Sequence, residues 1–290
     1  MLKTRYSLSK SGIPVKLTEQ EFKEFILPYL PKRKRGPEHK VPTYKIFNYI
    51  LKIIYTGCQW KELPIDRDIT GKKEISYSRI FKIFKYWLIS GVFELVFKNS
   101  VVLLDKHGCL DLTIMHGDGS TTAAKKGGDC VGYNYHKKIK GEKVVAFTDR
   151  NCNVISPFTV AAGNEHETTL FGSAFNSVKS MFKAIGQTLH KVIVSLDSAY
   201  DSIVNRKLIF NTGMIPNIKE NPRNRKKKKR GRKRIYSEAI FAERFFTVER
   251  VFAWEDKFKR LLLRFERISF HHFGMKLLAY TMINLRHLVI

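Results

Sequence analysis

Up to about residue 105, apolar positions recur every three or four residues, the period of a helix that buries one face. Thr18 to Leu30 opens with Thr-Glu-Gln-Glu, a capping-box pattern. Thr43 to Tyr55 sets Ile46, Tyr49, Ile50 and Ile53 on one side and stops at Gly57. Ser76 to Leu88 alternates Ile80, Phe81, Ile83 and Phe84 with Arg79, Lys82 and Lys85, and Gly91 separates it from Val92 to Leu104. These four stretches predict a small all-helical domain over residues 1–106. The cations of the third helix suit DNA phosphates or a groove, in the manner of a helix-turn-helix. A plain bundle with a wet face has the same pattern, and the sequence does not separate the two.

Beyond residue 106 the period shortens. Leu110 to Met115 reads as a strand running into His-Gly-Asp-Gly-Ser, and Lys143 to Thr148 and Val154 to Val160 read as two more. Thr168 to Ile185 is a predicted helix. Lys191 to Leu196 is a near-continuous apolar run, the mark of a parallel strand covered on both faces, and it ends at Asp197. A helix over Ser202 to Asn211 and a strand over Met214 to Ile218 follow. Tyr236 to Arg267 then reads as one long amphipathic helix, N-capped by Ser237, with Val251, Trp254, Phe258, Leu261 and Phe265 in its apolar stripe. At about 100° per residue, Glu249, Asp256, Arg260 and Arg267 share its other side. Residues 107–290 thus predict an α/β domain on a mixed sheet. Trp60 and Trp254 read as core. His116 shares a strand face with Ile114 and Asp118 and reads as a satisfied, semi-buried histidine. His271-His272 is too isolated to argue for metal.

Charge narrows the class. The chain has 290 residues, 43% of them hydrophobic, and 53 Lys and Arg against 26 Asp and Glu, a formal charge of +27. That excess points to a polyanion, most often nucleic acid. No apolar run reaches the ~18 residues of a membrane span. Neither a lipidation motif nor a signal-peptide core stands at the N-terminus. Cys58, Cys109, Cys130 and Cys152 form no CxxC pair and read as free thiols of a reducing, cytoplasmic protein without zinc.

Three acids stand at related places: Asp118 after the first strand, Asp197 after the fourth, and Glu249 on the closing helix. If those two strands are neighbours, the aspartates meet at the carboxyl edge where α/β sheets place their sites. Glu249 can then be brought over them. Three converging carboxylates repel unless a divalent cation lies among them, and hard oxygen donors select Mg²⁺ or Mn²⁺. Two such ions activate a water or hydroxyl and stabilise the leaving oxygen of a phosphodiester. Singly, each acid is ordinary strand-end or helix-face decoration. From Arg223 to Arg234, ten of twelve residues are Lys or Arg: Arg223, Arg225, Lys226, Lys227, Lys228, Lys229, Arg230, Arg232, Lys233 and Arg234. This run, within a loop at about 219–235, reads as a grip on DNA phosphates near the site. It also has the composition of a merely solvated loop.

With these motifs in order, the sequence resembles the DDE transposases of bacterial insertion sequences, closest to family five, with the related family four next. The likeness rests on LPYLPKRKRG, ILKIIYTGCQWKELP, the Tyr-Ser-Arg-Ile run from Tyr77, ISGVFE, Asp118 in Asp-Gly-Ser and GYNYHKKIKGEKV. It continues through Gly163-Asn164-Glu165-His166-Glu167, Asp197 in Asp-x-x-Tyr-Asp-Ser, and Glu249 in VERVFAWEDKFKRLLLRFE. The resemblance implies an RNase H-like catalytic domain after the helical one. Asp118, Asp197 and Glu249 would be the catalytic acids and the ligands of two Mg²⁺ (or Mn²⁺) ions. The implied activity is cleavage of insertion-sequence ends and joining of the freed 3′-hydroxyl to double-stranded target DNA, by an active complex that is at least a homodimer, in the bacterial cytoplasm at the nucleoid. His166, Arg244, Lys257 and Arg260 are candidate residues around the acids or at the DNA backbone. Two departures stand out: Arg244 lies five residues before Glu249 where the family has four, and the downstream cation is off its usual interval. They keep alternatives open: an inactive, DNA-binding relative, or a nuclease of the same fold without strand transfer.

Overall fold

The structure is a computed structural model, and it describes residues 12–31, 40–222 and 234–289. Its N-terminal part follows the periodicity. Helix α1 (Glu19–Phe25) closes the capping box expected at Thr18 and Glu21 and continues as a 3-10 turn, Leu27–Tyr29. Helices α2 (Thr43–Thr56), α3 (Tyr77–Ile89) and α4 (Val92–Lys106) fall on the three remaining patterns. Ile46, Ile50, Ile53, Ile80, Phe84, Phe93 and Phe97 are buried among them.

The sheet contains β1 (Ile114–Ala124), β2 (Gly132–Asn134), β3 (Ile139–Thr148), β4 (Thr159–Ala162), β5 (Ile193–Leu196), β6 (Ile215–Ile218) and β7 (Leu263–Arg264). The order is β2-β3-β1-β5-β6, with β4 also on β3 and β7 on β1. β1 runs antiparallel to β3 and parallel to β5, and β5 runs parallel to β6. An antiparallel meander joined through its first strand to two parallel strands is the RNase H-like arrangement. Helices α5 (Glu167–Ile185) and α6 (Ile203–Phe210) make the crossovers.

Three expectations are corrected. β1 neither starts at Leu110 nor stops before the Gly-Asp-Gly: it runs through Asp118 to Ala124, because β3 pairs it from His116 to Ala123. The glycines permit close approach without ending the strand. A Cβ on Gly117 would stand 2.6 Å from Leu196 and Phe147, and one on Gly119 would stand 2.9 Å from the Glu167 carboxyl. The strand expected over Val154 to Val160 is a single bridge, Thr148 to Val154, followed by the later β4.

The largest correction concerns the closing helix. Ser237 does cap a helix, but α7 ends at Ala242 (Glu238–Ala242), and a 3-10 turn, Glu243–Phe246, follows. Thr247 leaves helical geometry at φ −122°, ψ −94° before α8 (Val248–Glu255) begins. After α8 the chain turns at Lys259–Leu261 and pairs with β1 as β7. The ladder with β1 and the burial of Val251, Phe258 and Leu261 outweigh continuous helix, and Phe265 of the expected stripe is 39% exposed. The shared polar face of Glu249, Asp256, Arg260 and Arg267 therefore does not form.

Helix α9 (Ser269–Leu285) was not foreseen. It is buried nearly all round, so it has no polar face to give it a period. It packs on α2, α3, α4 and α8, and one apolar core runs from the N-terminal helices into the sheet. Trp60 and Trp254 pack against that core, as read from the sequence. Among the described residues no single helix is long and apolar enough to cross a membrane. The four cysteines are free.

Candidate active site

Asp118 and Asp197 come together because β1 and β5 are parallel neighbours. The ladder pairs His116 with Ser195, and two residues further on stand Asp118, within β1, and Asp197, just past the end of β5. Asp118 accepts the Gly119 N–H at 2.8 Å. Asp197 accepts the Ser198 N–H and caps the 3-10 turn Ser198–Tyr200. Burial pushes the Asp118 carboxyl up to about 6, and the negative charges of Glu167 and Asp197 push the same way, while Arg244 and the Gly119 N–H oppose.

The segment from Glu243 to Glu249 lies along the face of β1 that carries His116, Asp118, Ser120 and Thr122. Glu243 comes within 3.5 Å of His116 Nε2. Arg244 Nη2 reaches Asp118 Oδ2 at 3.0 Å, and its guanidinium stacks on Phe241 at 5.2 Å. The segment is pinned at several points. Arg150 holds Glu243 through two 2.9 Å hydrogen bonds, Thr247 Oγ1 donates to Glu243 O, and Cys152 Sγ donates to Phe246 O. Arg244 is 5% exposed, and its Nε has no hydrogen-bond partner among the described residues. The 3-10 turn and the non-helical Thr247 separate Arg244 from α8, and the guanidinium faces Asp118.

Glu249 itself is exposed at the start of α8. It lines a cleft of about 300 Å³ with Ser120, Thr121, Thr122, Phe252 and Asp256. It therefore stands further along β1 than Asp118 and does not join the two aspartates. No group of three His, Cys, Asp or Glu side chains able to hold a metal occurs among the described residues.

The other face of β1 carries a feature the sequence reading left aside. Glu167, first residue of α5, lies under Gly119 and 3.5 Å from Lys143 Nζ. Tyr200 is fully buried beside it. Burial raises the phenol well above its ordinary pKa, with Glu167 and Asp118 adding, and its hydroxyl makes no hydrogen bond among the described residues. A signal for both existed: Glu167 closes the Gly-Asn-x-His-Glu motif, and Tyr200 stands in Asp-x-x-Tyr-Asp-Ser. Their approach to Asp118 depends on strand pairing, which spacing alone does not give.

The remaining candidates are dispersed. His166 is exposed and lines a polar cavity of about 470 Å³ with Lys143, Glu167, Asp201 and Asn221. Lys257 is exposed beyond α8. Arg260 is held by Glu266 at 2.6 Å and stacks on Phe265, away from the aspartates. Arg234 pairs with Asp201 at 2.8 Å. Arg223, Arg225, Lys226, Lys227, Lys228, Lys229, Arg230, Arg232 and Lys233 lie outside the described residues, as does most of the basic stretch after Leu30. His116, read as satisfied, has no hydrogen bond to either ring nitrogen among the described residues, and Glu243 stands at ion-pair distance. Burial holds its pKa down to about 4, with Arg244 and Arg150 acting the same way and Glu243 opposing.

Two carboxylates and a third acid nearby, one of them made harder to ionise by burial and by its neighbours' charge, match a divalent cation in donor chemistry. Among the described residues Arg244 is paired with Asp118 and Lys143 with Glu167.

The sheet and the paired aspartates at its centre define an RNase H-like protein. Residues 17–97 match the family described as putative transposase of IS4/5 family, and residues 103–282 match the transposase DDE domain. The chain belongs to the DDE transposases of the IS4/IS5 type. No significant match occurs among curated proteins. A solved chain from the crystal structure of a pre-cleavage Mos1 transpososome aligns at 12% identity and TM-score 0.26, covering 91% of this chain and 83% of its own.

Proposed function

We propose that this transposase cuts the ends of its insertion sequence and joins them to target DNA by phosphodiester hydrolysis followed by transesterification, with Asp118, Asp197 and Glu249 as the acids. The observation that carries this is the meeting of Asp118 and Asp197 on adjacent parallel strands, with the Arg244 guanidinium 3.0 Å from Asp118. Glu249 stands on the same side of β1, across the cleft at Ser120. Asp118 and Asp197, with Glu249 brought to them, would hold Mg²⁺ or Mn²⁺, which would supply Lewis-acid activation of the attacking oxygen and charge neutralisation at the leaving one.

The chain's own groups do the rest. Arg244 keeps the Asp118 carboxylate oriented and offsets its charge until ligand arrives. His116, neutral at physiological pH, adds no charge behind Asp118. The run 223–234 grips the DNA backbone without reading sequence, and residues 1–106 supply an end-binding domain. The active complex is at least a homodimer, since two ends are cut and joined, and it works in the cytoplasm on the nucleoid. An inactive copy is the less favoured reading, because the spacing that motivated it leaves Arg244 against Asp118.

The test is Mg²⁺-dependent nicking of duplex DNA carrying the element's ends, comparing wild type with Asp118→Ala, Asp197→Ala and Glu249→Ala. Loss of nicking in all three with DNA binding retained is expected. Tight binding without nicking by the wild type would overturn the reading, and nicking that survives Glu249→Ala would remove Glu249 from the trio.

A further inference from the structure

One buried acid has no part in the chemistry above. Asp201 is 7% exposed and closes the 3-10 turn that Asp197 opens. Its Oδ1 accepts from Arg206 Nε and from Arg234 Nη1, both at 2.8 Å, and its Oδ2 accepts the Asn221 N–H at 2.9 Å. Burial alone would raise its pKa, but these hydrogen bonds and the two arginines hold it below the ordinary carboxylate range. Asn221 stands just before the basic run, and Arg234 is its last residue. Next to them Ser237 N–H donates to Asn217 Oδ1 at 2.7 Å, and Asn217 Nδ2 donates back to Ser237 O at 3.2 Å. The chain therefore departs toward the run and returns from it at one place.

That place is welded to Asp197. Tyr200 N–H bonds to Asp197 O, and Asp201 N–H bonds to Ser198 O, both at 3.1 Å. Arg206 also donates to Ile218 O at 2.8 Å, which fixes the end of β6 to the same carboxylate. A solvated loop needs no such anchor: exposed ion pairs contribute little, whereas a buried carboxylate is retained only if every partner is in place.

We propose that Asp201 is a positioning residue that ties both ends of the basic run to the turn carrying Asp197, so that DNA held by the run orders that carboxylate. The proposal rests on reading Asp197 as a catalytic acid and the run as a DNA contact. Asp201 itself touches neither DNA nor the reacting atoms.

The experiment is hydrogen–deuterium exchange of the full chain, metal-free, with and without a short random-sequence duplex, beside nicking assays. In the wild type, DNA slows exchange across residues 196–203. In Asp201→Ala, DNA binds with unchanged salt dependence, this protection disappears, and nicking turnover falls about threefold to thirtyfold, the range of coupling through packed contacts. Arg234→Ala, at the far end of the tie, produces the same loss. The double variant loses no more than either alone, as partners in one contact should. Asp201→Asn, which keeps an acceptor, falls between. Equal DNA protection of 196–203 in wild type and Asp201→Ala would overturn the proposal, as would multiplicative losses in the double variant. Should Asp201→Ala unfold, Arg234→Ala and Asp201→Asn decide. A wild type that nicks nothing sinks the transposition chemistry, yet the exchange comparison still decides the tie.

Discussion

Two residues on one face of β1 set opposite pH dependences. His116 is fully buried and its pKa is held down to about 4. The unfolded chain therefore binds the His116 proton more readily, and this site adds stability as pH rises from about 4 to the ordinary histidine value. Asp118 is pushed up to about 6. Here the folded chain holds the proton more tightly, so this site removes stability as pH rises from the ordinary aspartate value to about 6. Each slope is at most about 1.4 kcal/mol per pH unit, and between pH 4 and 6 they largely cancel. Urea unfolding of His116→Gln should then show a pH slope across that window more negative than the wild type's by up to about 1.4 kcal/mol per unit. An unchanged profile would mean that His116 is not the neutral, buried group described. Arg244→Ala removes the cation that keeps Asp118 ionised, and it should move the pH midpoint of nicking upward. A pH–rate profile with an unmoved midpoint, however low the activity, would detach Arg244 from Asp118. Protons and a cation compete for the same carboxylate, so Mn²⁺ affinity measured by calorimetry should rise about tenfold per unit up to pH 6 and then level.

At the scale of elements, α8 is eight residues long and cannot hold itself. It is anchored through Glu255, whose buried carboxylate accepts from Lys276 Nζ and from Tyr280 Oη of α9. Lys276 is 1% exposed. Lys276→Met leaves Glu255 buried without its cation and should cost about 3–5 kcal/mol in denaturant unfolding, whereas pairing it with Glu255→Leu should recover much of that. Recovery of nicking along with stability would show that the pair serves only to seat Glu249. The same elements show what the sequence could disclose. The N-terminal helices and the β5 strand were legible because each buries one face or two, and burial of that kind writes a period. Asp197 was legible as an acid at a strand's end, whereas Asp118 lies inside β1 and not after it. Three things left no local trace. Helix α9 has no polar face. The break at Thr247 is imposed by β7 pairing with β1, a contact across about 140 residues. The approach of Glu167 and Tyr200 to Asp118 follows from strand register, which no spacing within one segment encodes.

For the molecule as a whole, a charge of +27 makes DNA binding a matter of ionic strength. Bound counterions leave the duplex as lysines and arginines replace them, so the logarithm of affinity falls linearly with the logarithm of salt, by about 0.9 for each phosphate neutralised. If the run grips backbone, Lys226, Lys227, Lys228 and Lys229 account for part of that slope. Changing the four to Gln should flatten it by about 3 to 4 and weaken every duplex alike, whatever its sequence. Asp118→Ala should do the reverse: nicking lost, slope unchanged. The contrast is informative because a general loss of structure would move both readouts together. If the four-Gln variant binds its own element's ends as tightly as the wild type at moderate salt, the backbone grip lies elsewhere. The exposed cations of α3, Arg79 and Lys82, are then the next to change, since they face water on a helix whose buried face is wholly apolar.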